Sequence, residues 1–424
     1  MIALTLWLLF LVSFSFPKVF LAEWEGPITP TAAGYVERSL KEAQENGGNL
    51  YVLILNTPGG LVESMRRIVK AFNTASLPVV VFVYPPGARA ASAGAIITIA
   101  ADIAAMAPGT NIGAAHPVIA GTQRNSKNDV MLKKALEDML AFVRAIAREK
   151  GRNVKVVEKM VKESISLSAE EALKKQVIDL IAYDVGDLLE KLSGRKVKKL
   201  GKVYEIKTKG EEVIKIDLLL REKVLKIISN PTVAYLLLMI GFYGIFFELY
   251  NPGAVIPGVV GAISLLLGLY GLSIISVNWL ALLLILLGIL FFVLELITPT
   301  FGALTVGGII SLVLGSLFLI EENSPYGEIP KQLIIGVSLF SAAFFLTVGY
   351  LGIKAQRRRK ITGAEAMIGE EGEAITDFKK GKGKVFVHGE IWNAYSKEDI
   401  KKGDKVKVIG VKGLKLIVER VFNS

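Results

Sequence analysis

Ser92 stands in the stretch Ala88-Arg-Ala-Ala-Ser-Ala-Gly-Ala-Ile-Ile-Thr98, a run of small side chains after a hydrophobic segment. A hydroxyl at the start of a helix can project toward a substrate, and small neighbours let a carbonyl group approach it. The chemistry this suits is acyl transfer, which also needs N–H donors for the oxyanion. The Gly59-Gly60 turn and the N–H of Ala93 are the candidates. A serine among alanines also satisfies tight packing, so the hydroxyl needs a base. His116 with Asp179 as its orienter would make a Ser–His–Asp triad. Other chemistries are poorly supplied. With no cysteine there is no thiolate nucleophile or disulfide. The only histidines are His116 and His388, which argues against a His-rich metal site. No Gly-x-x-x-x-Gly-Lys-Ser/Thr loop for ATP occurs. No metal or cofactor is expected.

The elements that must position Ser92 follow from periodicity. Asn49-Leu-Tyr-Val-Leu-Ile-Leu-Asn-Thr-Pro-Gly-Gly60 reads as a buried strand ending in a turn. Leu61, Met65, Ile68 and Phe72 then recur at helical spacing, and residues 78–83 form a second buried strand. Strand–helix–strand order predicts an α/β domain with a largely parallel sheet. Residues 131–153 predict an amphipathic helix with an apolar stripe of Leu132, Leu136, Met139, Val143 and Ile146. Lys133 borders that stripe, whereas Lys134 shares a face with Asp138, Ala141 and Ala145. Ser168, with Glu171 three residues on, predicts a capped helix of the scaffold.

Charge is distributed in blocks. Residues 1–22 carry an apolar run of signal-peptide length, with Ala22 as the expected last residue before cleavage, or else an uncleaved anchor. Residues 23–228 mix charge with apolar runs, as in a soluble α/β domain. Residues 229–353 are nearly free of charge and contain five apolar segments, 232–250, 255–276, 277–296, 301–320 and 333–353, each near the length of a membrane span. The stretch from Glu248 to Gly268 echoes the one from Glu295 to Gly315, with a glutamate at the end of one span and a Pro/Gly-rich approach to the next. Lys354-Ala-Gln-Arg-Arg-Arg-Lys360 marks the cytoplasmic side, so five crossings place the first domain outside. The net charge of +11 is read as contact with anionic lipid and topology signals rather than nucleic-acid binding. Residues 354–424 alternate polar and apolar between glycines, which predicts a five-stranded OB-type barrel serving protein interaction.

Four motifs carry a family resemblance. Thr57-Pro-Gly-Gly60, Ala91-Ser-Ala-Gly94, Ala107-Pro-Gly-Thr-Asn-Ile-Gly-Ala-Ala-His-Pro117 and Gly151-Arg-Asn153, in this order, resemble the NfeD family. Gly389-Glu-Ile-Trp-Asn-Ala394 and Gly403-Asp404 resemble its soluble C-terminal domain. The resemblance implies a ClpP/crotonase-like serine protease domain, similar to Clp protease and signal peptide peptidase A, then a transmembrane helical block and the barrel. It implies a multi-pass membrane protein with an extracytoplasmic protease domain and a cytoplasmic barrel. It also implies a Ser–Lys dyad in place of the histidine triad, with Ser92 as nucleophile. Counting back from Gly151-Arg152-Asn153 sets the base on Lys134, while helical geometry favours Lys133. The implied activity is ATP-independent cleavage of hydrophobic segments of membrane-associated proteins, including a stomatin-like partner, by at least a dimer. A non-catalytic scaffold for such a partner and a crotonase-like acyl-CoA enzyme are the competing readings.

Overall fold

The computed structural model describes residues 18–117, 126–250, 252–275, 277–298, 300, 302–320, 324, 326–357 and 367–421. Two compact units divide the chain between Ala342 and Ala343.

The first unit begins with β1 (Lys18–Glu25), α1 (Pro30–Glu45), β2 (Gly48–Asn56), α2 (Val62–Thr74), β3 (Val79–Val83), β4 (Arg89–Ala91), α3 (Ala93–Ala100), β5 (Ile103–Met106) and β6 (Asn111–Gly113). There follow α4 (Ser126–Glu149), α5 (Val154–Lys162), β7 (Ser166–Ser168), α6 (Ala169–Lys174), β8 (Leu180–Ile181) and α7 (Val185–Leu192). The α/β part closes with β9 (Lys196–Lys199), β10 (Lys202–Glu205), β11 (Glu212–Ile216) and α8 (Leu220–Ile228). Six strands form one sheet in the order β11-β1-β2-β3-β5-β8, and every pairing in it is parallel. Parallel strands need helical crossovers that bury both faces. The sequence obeys this: β3 is Val-Val-Val-Phe-Val and all five residues are buried. A small side sheet, β4-β6-β7, stands beside it and carries the site. The expected capping box is present, with the Ser168 hydroxyl accepting the Glu171 N–H.

The N-terminal boundary differs from expectation. Ala22 lies in mid-strand β1, fully buried, paired with Leu53 on one side and Ile216 on the other. Cleavage after Ala22 would strip most of a central strand from the sheet, so the domain begins by Lys18. The apolar run before it lies outside the described residues.

A buried charge cluster locks the far end of α4. The Asp102 carboxylate, 2% exposed, accepts from Val79 N–H at 2.9 Å and Lys150 Nζ at 2.8 Å, and also from Lys199 Nζ. Burial pushes the Lys199 amine below its ordinary value, against the pull of Asp102. Arg144 pairs with Glu158 at 2.6 Å, joining α4 to α5.

Five apolar helices follow: α9 (Pro231–Tyr250), α10 (Ile256–Ile274), α11 (Trp279–Ile297), α12 (Ala303–Phe318) and α13 (Lys331–Arg357). By length and composition α9, α10 and residues 331–348 of α13 can cross a membrane, while Trp279–Glu295 and Ala303–Phe318 are shorter apolar helices. The internal echo is a structural duplication. A Cβ on Gly241 would meet Leu265 N at 2.5 Å, and one on Gly288 would meet Leu312 N at 2.9 Å. On Gly268 it would meet Leu238 N, and on Gly315 Ile285 N, both at 2.7 Å. Gly241, Leu265 and Gly268 are the repeat equivalents of Gly288, Leu312 and Gly315. Both antiparallel hairpins therefore close on glycines at matching positions, where backbones touch. Glu248 accepts the Gly253 N–H at 3.1 Å, and Glu295 accepts those of Gly302 at 2.9 Å and Thr305 at 3.1 Å. The two carboxylates thus tie the hairpin turns.

The second unit contains β12 (Glu371–Ala374), β13 (Lys382–Val387), β14 (Glu390–Tyr395), β15 (Lys405–Lys412) and β16 (Lys415–Arg420). They close a barrel in the order β12-β13-β14-β16-β15, with β14 and β16 parallel and the other pairs antiparallel. This closed five-stranded barrel is consistent with the expected OB-type fold. Its core is Val385, Val387, Val406, Val408, Leu416 and Val418, each from the inward phase of an alternating strand.

Candidate active site

Ser92 is the single residue between β4 and α3, and its backbone is strained (φ 52°, ψ −116°). For a residue with a Cβ, positive φ is costly and persists only where the surroundings impose it. Here they do. The Ser92 N–H donates to the Gly113 carbonyl at 2.9 Å, and its own carbonyl accepts from Ala95 N–H at 3.0 Å. A sharp strand-to-helix turn of this kind lifts a serine hydroxyl clear of the backbone. Ala93, the first residue of α3, has no preceding turn to receive its N–H, and the helix dipole is positive at that end.

The Gly59-Gly60 turn lies directly over Ser92. A Cβ on Gly59 would stand 2.7 Å from Ser92 Cβ and 3.3 Å from its Oγ. Gly59 and Gly60 have φ of 119° and 154°, and a Cβ on Gly60 would strike the Ile28 carbonyl at 2.4 Å. Only glycine fits either position. The turn is held from below by Ile28, whose N–H donates to Gly59 O at 2.7 Å and whose carbonyl accepts the Leu61 N–H at 2.9 Å. The buried Thr57 hydroxyl accepts the Gly59 N–H at 3.1 Å. That N–H is thus occupied within the turn. Thr57 also flanks β4, with its N–H on Arg89 O and its carbonyl taking the Ala91 N–H.

The structure brings Gly59, Gly60, Ser92 and Ala93 together. Lys133 and Lys134 lie in the third turn of α4 and are exposed, and neither forms an ion pair among the described residues. Asp138, one turn past Lys134, pairs with Arg66 of α2 at 2.5 Å, and Arg66 also stacks over Phe142 at 4.3 Å. Arg66 stands one turn into the helix that starts at the Gly59-Gly60 turn. The face of α4 bearing Lys134 is thereby held beside α2, while Leu136, Met139 and Leu140 bury the other face in the core. The partners of the alternative triad are engaged elsewhere. The Nδ1 of His116 is bonded to the Val161 carbonyl at 3.0 Å, whereas Asp179 holds Arg152 at 2.5 Å and the Ala104 N–H at 2.7 Å.

Sequence reasoning gave no role to Thr57, Gly113 or Arg66. Thr57 was visible within the Thr-Pro-Gly-Gly motif. The Gly113 contribution is a backbone carbonyl, which leaves no side-chain signal. Arg66 is visible only once α2 and α4 are known to be neighbours.

Three family models match in order along the chain: an NfeD1b N-terminal domain over residues 19–205, an NfeD integral membrane domain over 232–351 and an NfeD-like C-terminal, partner-binding domain over 364–420. Among curated relatives, membrane-bound protease PH1510 of Pyrococcus horikoshii is 36% identical over 95% of this chain and 93% of its own length. Membrane protein NfeD1b of Bacillus subtilis is 33% identical over 56% of this chain and 52% of its own. A solved structure of a serine-to-alanine mutant of the 1510-N membrane-bound stomatin-specific protease shares 32% identity, covering 49% of this chain and 100% of that one with a TM-score of 0.45. The parallel α/β domain, the serine at the head of α3 and the near full-length relative define a membrane-bound serine protease with a ClpP-like α/β domain. The chain belongs to the NfeD family.

Proposed function

We propose that this membrane protease is an ATP-independent endopeptidase working through a Ser–Lys dyad on hydrophobic segments of membrane-associated proteins, a stomatin-like partner among them. The observation that carries the reading is the strained Ser92 at the head of α3, beneath a turn that admits only glycine. Ser92 Oγ attacks the scissile carbonyl while a neutral lysine amine takes its proton. The oxyanion is held by the N–H groups of Gly60 and Ala93, with Gly59 shaping the turn that aims them. The lysine then passes its proton to the leaving amine, and a water hydrolyses the acyl-Ser92 ester.

The lysine is Lys134, which shares its helix face with the Asp138–Arg66 tie to α2; Lys133 is the runner-up. Both amines are exposed in the single chain, so removing water from the base is a task for bound substrate or a second copy of the chain. This supports a homo-oligomer, at least a dimer. The barrel is the partner-holding module. Five crossings, with α11 and α12 completing the second hairpin, are our reading of the apolar block, and the basic sequence 354–360 supports a cytoplasmic barrel and an extracytoplasmic protease domain.

The test uses full-length protein in detergent micelles with a panel of apolar peptides, including the C-terminal segment of a stomatin-like protein. Ser92→Ala and Lys134→Ala are each expected to lower kcat by about 10⁴-fold or more with unchanged melting temperature. Cleavage surviving Ser92→Ala overturns the mechanism. Loss in Lys133→Ala but not in Lys134→Ala moves the base by one residue. A wild-type chain that binds the stomatin-like peptide without cutting it favours the scaffold.

A further inference from the structure

Helix α8 is short, amphipathic and turned the wrong way round for a soluble domain. Leu220, Val224 and Ile227 are 79%, 44% and 59% exposed and recur at the spacing of one helix face, continued upstream by Leu219 at 47%. Arg221 and Lys223, both exposed, flank this stripe on either side. The opposite face carries a carboxylate: Glu222, 4% exposed, accepts two hydrogen bonds from Arg38 of α1 at 2.9 and 2.8 Å. Arg38 also donates to the Asp217 carbonyl at 2.9 Å. The charged side of α8 is therefore fixed to the α/β domain, and its apolar side stays uncovered among the described residues.

Position identifies what covers that side. α8 ends at Ile228, and α9, an apolar helix long enough to cross a membrane, begins at Pro231. The Ile228 carbonyl abuts Gly271, where a Cβ would approach it to 2.4 Å, and Gly271 lies in the last turn of α10. The end of α8 thus sits level with the ends of two helices long and apolar enough to cross a membrane, and in a bilayer spanned by them that level is the boundary between headgroup and acyl chain. A helix with an apolar stripe bordered by cations suits that boundary, since the stripe enters the acyl region and the cations meet anionic headgroups.

We propose that α8 is an interfacial membrane helix: its Leu219, Leu220, Val224 and Ile227 face rests in the outer layer of an anionic bilayer, and the Arg38–Glu222 pair transmits that anchorage to the protease domain. The anchorage extends to the site. Lys226 lies over the Trp24 ring at 5.0 Å, Trp24 Nε1 donates to the Gly26 and Pro27 carbonyls at 3.2 Å, and the next residue, Ile28, holds the Gly59-Gly60 turn. The membrane surface and the turn over Ser92 are thus joined by one short segment. The proposal rests on the membrane reading of the chain but not on its catalytic mechanism.

The absence of cysteine allows a clean test in the full chain reconstituted in vesicles. Val224→Cys and Ile227→Cys carry an environment-sensitive fluorophore, and Lys41→Cys, at an exposed position of α1, serves as the reference. Flotation with the vesicles is checked first. Lipid-borne brominated quenchers are expected to quench positions 224 and 227 severalfold more than position 41, and more in phosphatidylglycerol-containing vesicles than in pure phosphatidylcholine. Arg221→Gln with Lys223→Gln is expected to abolish that difference between lipids. Floating protein whose labels at 224 and 227 answer only to aqueous quencher overturns the proposal while leaving the membrane reading intact. Disulfide cross-linking of two copies through Val224→Cys also overturns it, since the stripe would then be a subunit contact. Protein that fails to float overturns both.

Discussion

At the scale of single residues, the site depends on groups that hold Ser92 rather than on Ser92 alone. Thr57 is the sharpest case, because one buried hydroxyl satisfies the Gly59 N–H. Thr57→Val keeps the shape and the methyl contact with α3 but leaves that N–H unpaired. The expected cost is about 1–3 kcal/mol, read as a lower midpoint in chemical denaturation, together with a drop in kcat as the turn relaxes. Gly59→Ala is expected to be harsher on hydrolysis, since its methyl would lie 2.7 Å from Ser92 Cβ. A Gly59→Ala enzyme with wild-type kcat would show that the turn does not shape the oxyanion site. A serine among alanines reads equally well as packing, so the proposed roles of Ser92, the glycine pair and Ala93 came from the family motifs rather than from the small-residue pattern. The base was not legible. Lys133 and Lys134 are adjacent in sequence, both exposed here, and separated only by which side of α4 faces α2.

At the scale of elements, two charge clusters fix how helices meet the sheet. Asp102 sits between Lys150 and Lys199. Asp102→Ala leaves both amines buried without their carboxylate and is expected to cost about 3–5 kcal/mol, whereas Lys199→Met leaves Asp102 with Lys150 and costs less. Comparing the two thermal unfolding midpoints tests that order. The Arg38–Glu222 pair behaves differently with pH. Burial pushes the Glu222 carboxyl up, but the hydrogen bonds from Arg38 and the Leu219 N–H outweigh it, so the group titrates below its ordinary value. A carboxylate with a depressed folded value stabilises above its unfolded value and loses that contribution as acid protonates it. The α8 attachment is therefore expected to be complete above about pH 4.3 and to weaken below it, with Glu222→Gln removing the acid dependence. None of this was readable in advance. Burial of Asp102 and Glu222 depends on which helices lie over which strand, and sequence periodicity reports only that a face is apolar.

At the scale of the whole molecule, the order of α/β domain, apolar helices and barrel was legible because each has its own periodicity and charge density. The start of the first domain was not. Pro17-Lys18 interrupts the apolar sequence, but β1 is hydrophobic as well and ends its apolar half on a small residue, so the strand reads as the tail of a secretory segment. The two units predict separable functions. Deleting residues 364–420 is expected to leave Ser92-dependent hydrolysis of free peptides intact while abolishing capture of a stomatin-like partner, as a pull-down with the full-length partner would report. Within the membrane block the glycine contacts predict a graded response. Gly315→Leu drives a side chain into the backbone of α11 and is expected to lower the melting temperature in detergent, at a cost of about 1–3 kcal/mol. Gly336→Leu meets nothing within 4 Å and is expected to be neutral.

The matched glycine contacts of the two hairpins bear on how such a chain can change over time. Under the five crossings proposed above, each repeat leaves the bilayer on the face where it entered. Copying or losing one therefore alters the bulk of the buried block without inverting the catalytic and adaptor modules at its ends, whereas gain or loss of a lone helix would strand one of them in the wrong compartment.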